Sequence, residues 1–122
     1  MNKCMVIGNL VRDPELRQTD SGISVCNFTV AVNRKKSSNQ ERQETDYFKV
    51  TAWRALGENC NKYLSKGKKV SVIGPVTARA YIGNDQQTHA VLEMVADDVE
   101  FLTPKGDGFA ETSTDELPEQ FR

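Results

Sequence analysis

At 122 residues, 38% of them hydrophobic and 27% charged, the chain has room for one domain with a modest core. No apolar run approaches bilayer length, and Met1-Asn-Lys-Cys-Met-Val-Ile-Gly8 has no signal-peptide hydrophobic region, so no membrane contact and a cytoplasmic location are expected. The net charge of −1 hides a segregation: residues 103–122 carry five acids against two bases, and residues 1–102 fourteen bases against twelve acids.

Residues 3–11 read as a first strand, stopped by Asp13-Pro14. Residues 14–22 carry turn chemistry that ends in Asp20-Ser-Gly22. A second strand covers 23–33, with Cys26, Phe28, Val30 and Val32 inward and Asn27, Thr29, Ala31 and Asn33 outward. The wholly polar stretch 34–45 reads as a long hairpin loop. The third strand, 46–53, points Phe48, Val50 and Ala52 to one side and Tyr47, Lys49, Thr51 and Trp53 to the other, because successive side chains of a strand alternate.

Over 55–65 the period changes. Leu56, Cys60, Tyr63 and Leu64 fall near one helical face, and Lys66-Gly67 supplies a basic last turn and a terminating glycine. A fourth strand spans 68–80, with Val70, Val72, Gly74, Val76 and Ala78 on one face and Lys69, Ser71, Thr77 and Arg79 mostly on the other. A turn over 81–85 leads to a fifth strand, 88–102, broken near Asp97-Asp98. Hydrophobic patterning ends at Phe101-Leu102, so 103–122 is expected to be a disordered acidic tail.

Five strands with one helix between the third and fourth is the element order of an OB-fold. That is an all-β, five-stranded, partly open Greek-key barrel, whose closure would also manage the sheet edges. The expected organisation is an OB-fold domain over 1–102 and a tail over 103–122. The second and third strands and the loops 1–2 and 4–5 form the usual ligand face of this fold, so the Tyr47–Trp53 row falls where oligonucleotides bind.

Two readings of that row stand side by side: its rings pack beneath a neighbouring element or oligomer interface, or they stack on unpaired bases. Basic residues spread around the row favour the second. Arg34, Lys35 and Lys36 stand at the mouth of the long hairpin, Lys49 lies between the rings, and Lys69, Arg79 and Tyr81 share a parity on the fourth strand. Rings interleaved with cations form a groove that stacks bases and tracks phosphates. Tyr47, Trp53 and Tyr81 are therefore the expected stacking platforms, and Arg34, Lys35, Lys36, Lys49, Lys69 and Arg79 the expected phosphate contacts. No set of Asn, Gln and Arg is placed to read base edges, so binding indifferent to sequence is expected.

The three cysteines (Cys4, Cys26, Cys60) and the lone His89 are too scattered for a zinc site or a disulfide framework, and neither metal nor cofactor is expected. Asp97, Asp98 and Glu100 are the one acidic set a two-metal nuclease would use, but alternation sends Asp97 and Asp98 to opposite sides and no His or Lys cluster accompanies them. No enzyme activity is expected. A protein-interaction OB-fold is the other alternative, distinguished by whether Trp53 emission responds to oligo-dT.

The chain resembles the bacterial and phage single-stranded DNA-binding protein family over residues 1–102. The resemblance rests on Val6-Ile-Gly-Asn-Leu10, Asp13-Pro-Glu-Leu-Arg17, Phe28-Thr-Val-Ala-Val-Asn-Arg34, Thr45-Asp-Tyr-Phe-Lys-Val-Thr-Ala-Trp53, Lys62-Tyr-Leu-Ser-Lys-Gly67, Val72-Ile-Gly74 and the closing strand. It implies a homotetramer, a dimer of dimers, that wraps single-stranded DNA in the nucleoid during replication, recombination and repair. It also implies stacking by Tyr47, Trp53 and Tyr81.

There are departures from the family pattern. Lys36 stands where many members carry a further ring, and Thr77 and Ala80 where some carry bases, which implies less stacking and a stronger relative salt dependence. The family's acidic tail ends in Ile/Leu-Pro-Phe and engages replication and repair proteins. Here Asp115, Glu116, Leu117 and Pro118 are followed by Glu119-Gln120, Phe121 and a final Arg122, so the elements of a partner-binding tail are present without the terminal geometry.

Overall fold

The computed structural model describes residues 1–35 and 44–103. The elements run β1 (Cys4–Leu10), β2 (Glu15–Gln18), β3 (Ser24–Asn33), β4 (Thr45–Trp53), α1 (Arg54–Tyr63), β5 (Lys69–Gly74), β6 (Val76–Ile82), β7 (Thr88–Val95) and β8 (Asp98–Phe101). They form one sheet in the order β6-β7-β4-β3-β1-β5-β8, with β2 attached to β3. All the pairings are antiparallel except β4 with β7.

Alternation decides the core. Cys26, Phe28 and Val30 of β3, Phe48, Val50 and Ala52 of β4, Val70 and Val72 of β5 and Met94 of β7 meet inside the curled sheet. The helix lies against β3 and β4 and covers one end of this core with Cys60 and Leu64, while Leu56 packs beside them. Gly57 lets it sit close, since a Cβ there would run into the Ala52 carbonyl. Ser24 Oγ donates to Glu58 Oε2 at 2.8 Å and ties the helix to β3. Tyr63, expected on the buried face, is exposed instead, and its ring tilts against Phe101 at 5.7 Å between centroids. The helix ends there: Leu64 is extended, and Gly67 (φ +89°) serves the turn into β5 rather than a helix cap.

Three expected runs are subdivided. The stretch 14–22 is not all turn, because Glu15–Gln18 pair with β3 before Gly22 (φ +82°) closes the hairpin. The fourth strand divides at Pro75, which has no N–H for a ladder. The fifth divides at Ala96-Asp97, where Ile73 pairs with Asp98 and Val76 with Met94, so the β7–β8 side holds one extra residue. Gly74 sits at this bend with the Val95 carbonyl against it, leaving no space for a Cβ.

β5 and β8 continue the core beside β1, whereas β6 pairs with β7 alone and reaches past the core. Ala78, expected inside, is therefore exposed. The sheet is not closed by a ladder between its ends, so β6 and β8 remain edges, where barrel closure had been expected to remove them.

Candidate nucleic-acid interface

The outward face of β4 is as alternation requires. Tyr47 is 57% exposed and Trp53 43%, with Lys49 exposed between them. Ladder registers carry the row across neighbouring strands, since paired residues show their side chains to the same side. Trp53 lies opposite Val25, which lies opposite Arg17; Thr51 opposite Asn27, then Glu15; Lys49 opposite Thr29; and Tyr47 opposite Ala31. On the other flank, Lys49 is in register with Glu93 of β7, and Glu93 with Thr77 of β6. Val25, the Cα partner of Trp53, is buried, while much of the tryptophan stays open.

Further along β6, Tyr81 is 49% exposed and stacks on His89, with 5.5 Å between centroids and 29° between planes. His89 Nε2 lies 3.0 Å from Asp85 Oδ1, which fixes the ring. One face of Tyr81 is thus covered from within the hairpin, and the residue remains half exposed.

The cations differ in how they are held. Arg34 Nε and Nη2 donate to the two carboxylate oxygens of Asp46 at 2.9 Å, and its Nη1 donates to Glu44 Oε1 at 2.8 Å. That fork raises the guanidinium pKa and holds Asp46 below the usual carboxylate range, chiefly through the hydrogen bond between them. Arg79 Nη2 donates to Glu93 Oε2 at 2.6 Å, and Glu93 is lowered first by that bond and further by the charges of Arg79 and Lys49. Lys35 is exposed at the hairpin mouth.

Lys69 stands on β5, three ladders from β4, and is not brought beside the aromatic row. Lys36 and the tail residues Asp115, Glu116, Leu117, Pro118 and Phe121 lie outside the described residues. Of the acidic set, Asp97 pairs with Lys3 at 3.3 Å, and Asp98 Oδ1 accepts the Val99 N–H. Among the described residues, no group of three or more His, Cys, Asp or Glu is placed to hold a metal ion. No described helix is long and apolar enough to cross a membrane.

Sequence reasoning did not place Arg12 or Arg17 in the site. With Asp13, Glu15, Asn27, Phe28, Thr29, Lys49 and Val50 they line a cleft of about 360 Å³ beside the aromatic row. It arises because Leu10 pairs with Val30 and Glu15 with Asn27, so five steps along the first segment face three along β3. Val11 N–H still donates to the Thr29 carbonyl at 3.1 Å, and the excess loops out at 12–14, where Pro14 has no N–H to pair. Asp13 Oδ1 accepts the Lys66 N–H at 2.8 Å and pins the loop to the turn after the helix. The signal available was Leu16: a lone apolar residue amid polar ones, facing Cys26 in a strand too short for periodicity to reveal.

A curled β-sheet of this order, with a helix over one end of its core and rings and cations along one outer row, defines an OB-fold-type ligand-binding domain. The model of the Single-strand binding protein family matches residues 1–102, and the chain belongs to that family. Three relatives illustrate the match. A "Single-stranded DNA-binding protein" of Oceanobacillus iheyensis is 42% identical over 106 residues, 87% of this chain and 66% of its own length. The "Single-stranded DNA-binding protein 1" of Staphylococcus aureus is 43% identical over 105 residues, 86% of this chain and 67% of its own. The "Single-stranded DNA-binding protein 3" of Listeria innocua is 43% identical over 108 residues, 88% of this chain and 68% of its own. The chain thus spans about two thirds of the length of the curated relatives it matches.

Proposed function

We propose that this protein binds single-stranded DNA without regard to sequence, and that it holds exposed strands unpaired and protected during replication, recombination and repair, performing no chemistry of its own. The observation that carries the reading is the β4 row, in which exposed Tyr47 and Trp53 flank exposed Lys49 on the outer side of the sheet. Each base stacked on an aromatic ring contributes about 1–3 kcal/mol, and any base can stack, which accounts for sequence tolerance. Tyr47, Trp53 and Tyr81 are the stacking positions. Lys49, Lys35 and Lys36 contact phosphates, and Arg79 and Arg34 do so to the extent that phosphate displaces their carboxylates. Lys69 serves a strand that wraps beyond the β4 face.

The assembly is a homotetramer in the cytoplasm, associated with the nucleoid. Met5 and Ile7, 66% and 49% exposed on the outer side of β1, support association through that strand, where Ile73 is paired opposite Met5. Residues 103–122 form a separate acidic tail that recruits replication and repair proteins through Asp115–Pro118 and Phe121.

Trp53 is the sole tryptophan, so titration with oligo-dT reports directly on the proposed platform. Binding quenches its emission, and the mass measured alongside corresponds to four chains. Undiminished emission, with a response to a protein partner instead, would establish a protein-interaction domain. Deleting 103–122 leaves DNA binding equal or stronger and abolishes partner pull-down; retained pull-down would refute the role of the tail.

A further inference from the structure

Resting on the single-strand reading above, with Tyr81 as one of its stacking rings, we infer that Asn2 is a positioning residue. Its amide clasps the root of the β6–β7 arm and so sets where Tyr81 stands relative to the β4 row. The arm has little else to hold it. β6 lies at the end of the sheet with β7 as its neighbour, and β7 is paired with β4 only from Leu92 to Val95. Tyr81 and its ladder partner His89 lie beyond that stretch, so among the described residues the hairpin's own ladder is the only sheet pairing that supports them.

The root is where a hold has most effect. Val76 begins β6, five residues before Tyr81, a span of about 17 Å in an extended strand. A tilt of about 10° at Val76 would carry Tyr81 about 3 Å, nearly the thickness of an aromatic ring, and a stacked base would lose its platform. On the β7 side the tie beside Val76 is long: the Pro75 carbonyl accepts the Val95 N–H at 3.3 Å.

Asn2 supplies the hold on the opposite side. Its Oδ1 accepts the Val76 N–H at 3.1 Å, and its Nδ2 donates to the Val76 carbonyl at 2.9 Å. One side chain thus meets both backbone groups of one residue, as a neighbouring strand would. Ladder alternation turns the N–H and C=O of Ala78, Ala80 and Ile82 to the same edge, where no described group bonds them. Asn2 therefore fills the innermost place on an otherwise open edge, where core-held strand gives way to free arm. Lys3 adds a looser tie, 3.3 Å from Asp97 at the β7–β8 bend, between groups that are each about half exposed and so contribute little.

The test combines hydrogen exchange with a double-mutant cycle on the full chain. In the parent, the Val76 amide is protected about 2- to 10-fold more than those of Ala78, Ala80 and Ile82, the effect of one net hydrogen bond, and Asn2→Ala abolishes the difference. In dT titrations followed by Trp53 emission, Asn2→Ala weakens binding about threefold with maximal quenching unchanged. Tyr81→Ala weakens it more, and Asn2→Ala adds no further loss in that background. Equal protection of Val76 and Ala78 in the parent would overturn the clasp, whatever the DNA result. Wild-type affinity for Asn2→Ala would overturn the positioning role and leave the single-strand reading intact. An undiminished threefold loss in the Tyr81→Ala background would overturn it equally, because general loosening of the fold does not depend on that ring. A parent protein that dT does not quench would remove the single-strand reading and the positioning role with it, while exchange at Val76 judges the clasp separately.

Discussion

Glu93 stands between two cations of the proposed interface, bonded to Arg79 at 2.6 Å and in register with Lys49. Replacing it by Gln keeps the shape of the side chain and removes the one charge that occupies Arg79. If the DNA backbone passes over β7 and β6, the freed guanidinium acquires a phosphate. For single strands, one added contact steepens the log K–log salt slope by about 0.7, which at 0.15 M salt amounts to roughly fourfold tighter binding relative to a 1 M reference. The ion pair is exposed, so its loss should leave thermal stability nearly unchanged. Fluorescence titration of E93Q against dT at four or five salt concentrations yields both quantities. An unchanged slope would show that Arg79 lies off the path of the strand, and weaker binding would show that the carboxylate itself accepts hydrogen bonds from the bases. Acid has the same effect as the substitution: the lowered Glu93 is ionised at neutral pH, and the pairing, present above the carboxylate's unfolded value, is lost as pH falls through the folded one.

Further outcomes follow from the same geometry. Trp53→Ala removes one platform and should weaken dT binding about 5- to 150-fold, the equivalent of about 1–3 kcal/mol of stacking, with the fold retained by circular dichroism; wild-type affinity would remove Trp53 from the site. Met94→Ala opens a hole in the middle of the core and should cost about 2–5 kcal/mol in urea unfolding while leaving the interface residues in place. Burial raises the Cys26 thiol to about 11 and, with the neighbouring Cys26 charge adding to it, the Cys60 thiol to about 12. Iodoacetamide at pH 8 should therefore spare both until the protein unfolds. The sign on the alkaline side is also set: stability is full below the unfolded thiol value near 9 and declines as pH rises toward 11–12, which denaturant midpoints across that range will show. Gly74→Ala forces a Cβ against the Val95 carbonyl at the bend and should lower the melting temperature by several degrees, whereas Gly22→Ala meets open space and pays only for its positive φ.

Alternation along Tyr47–Trp53 is a property of the chain's local geometry, and so the two faces of β4, the inward set of β3 and the change to helical period after Trp53 are all legible in the sequence. The element order, five strand runs with one helical run between the third and fourth, was legible from the same periodicity, and the family-specific motifs over 1–102 agreed with it. What lies between elements was not legible in the same way. β2 has four residues and one apolar side chain, too few for a period, so its ladder with β3 could be recognised only once β3 was in place to receive it. Pro75 marks a division of the fourth strand, but that β6 would run past the core, exposing Ala78, depends on which neighbours it lacks.

Charge pairing was the least local property. A basic residue beside an aromatic strand reads as a phosphate contact in one dimension, yet Arg34 meets Asp46 and Glu44 across the hairpin, and Arg79 meets Glu93 across a ladder. Arg12 and Arg17, which the sequence reading left out of the site, line a cleft beside the aromatic row because two extra residues between Leu10 and Glu15 bow the first segment away from β3. By itself the sequence determined that Tyr47, Lys49 and Trp53 face outward together, because side-chain direction follows from the pleat of a single strand. Only the tertiary structure decided which of the surrounding cations are already neutralised, because Coulomb partners are chosen by distance in space and not by separation along the chain.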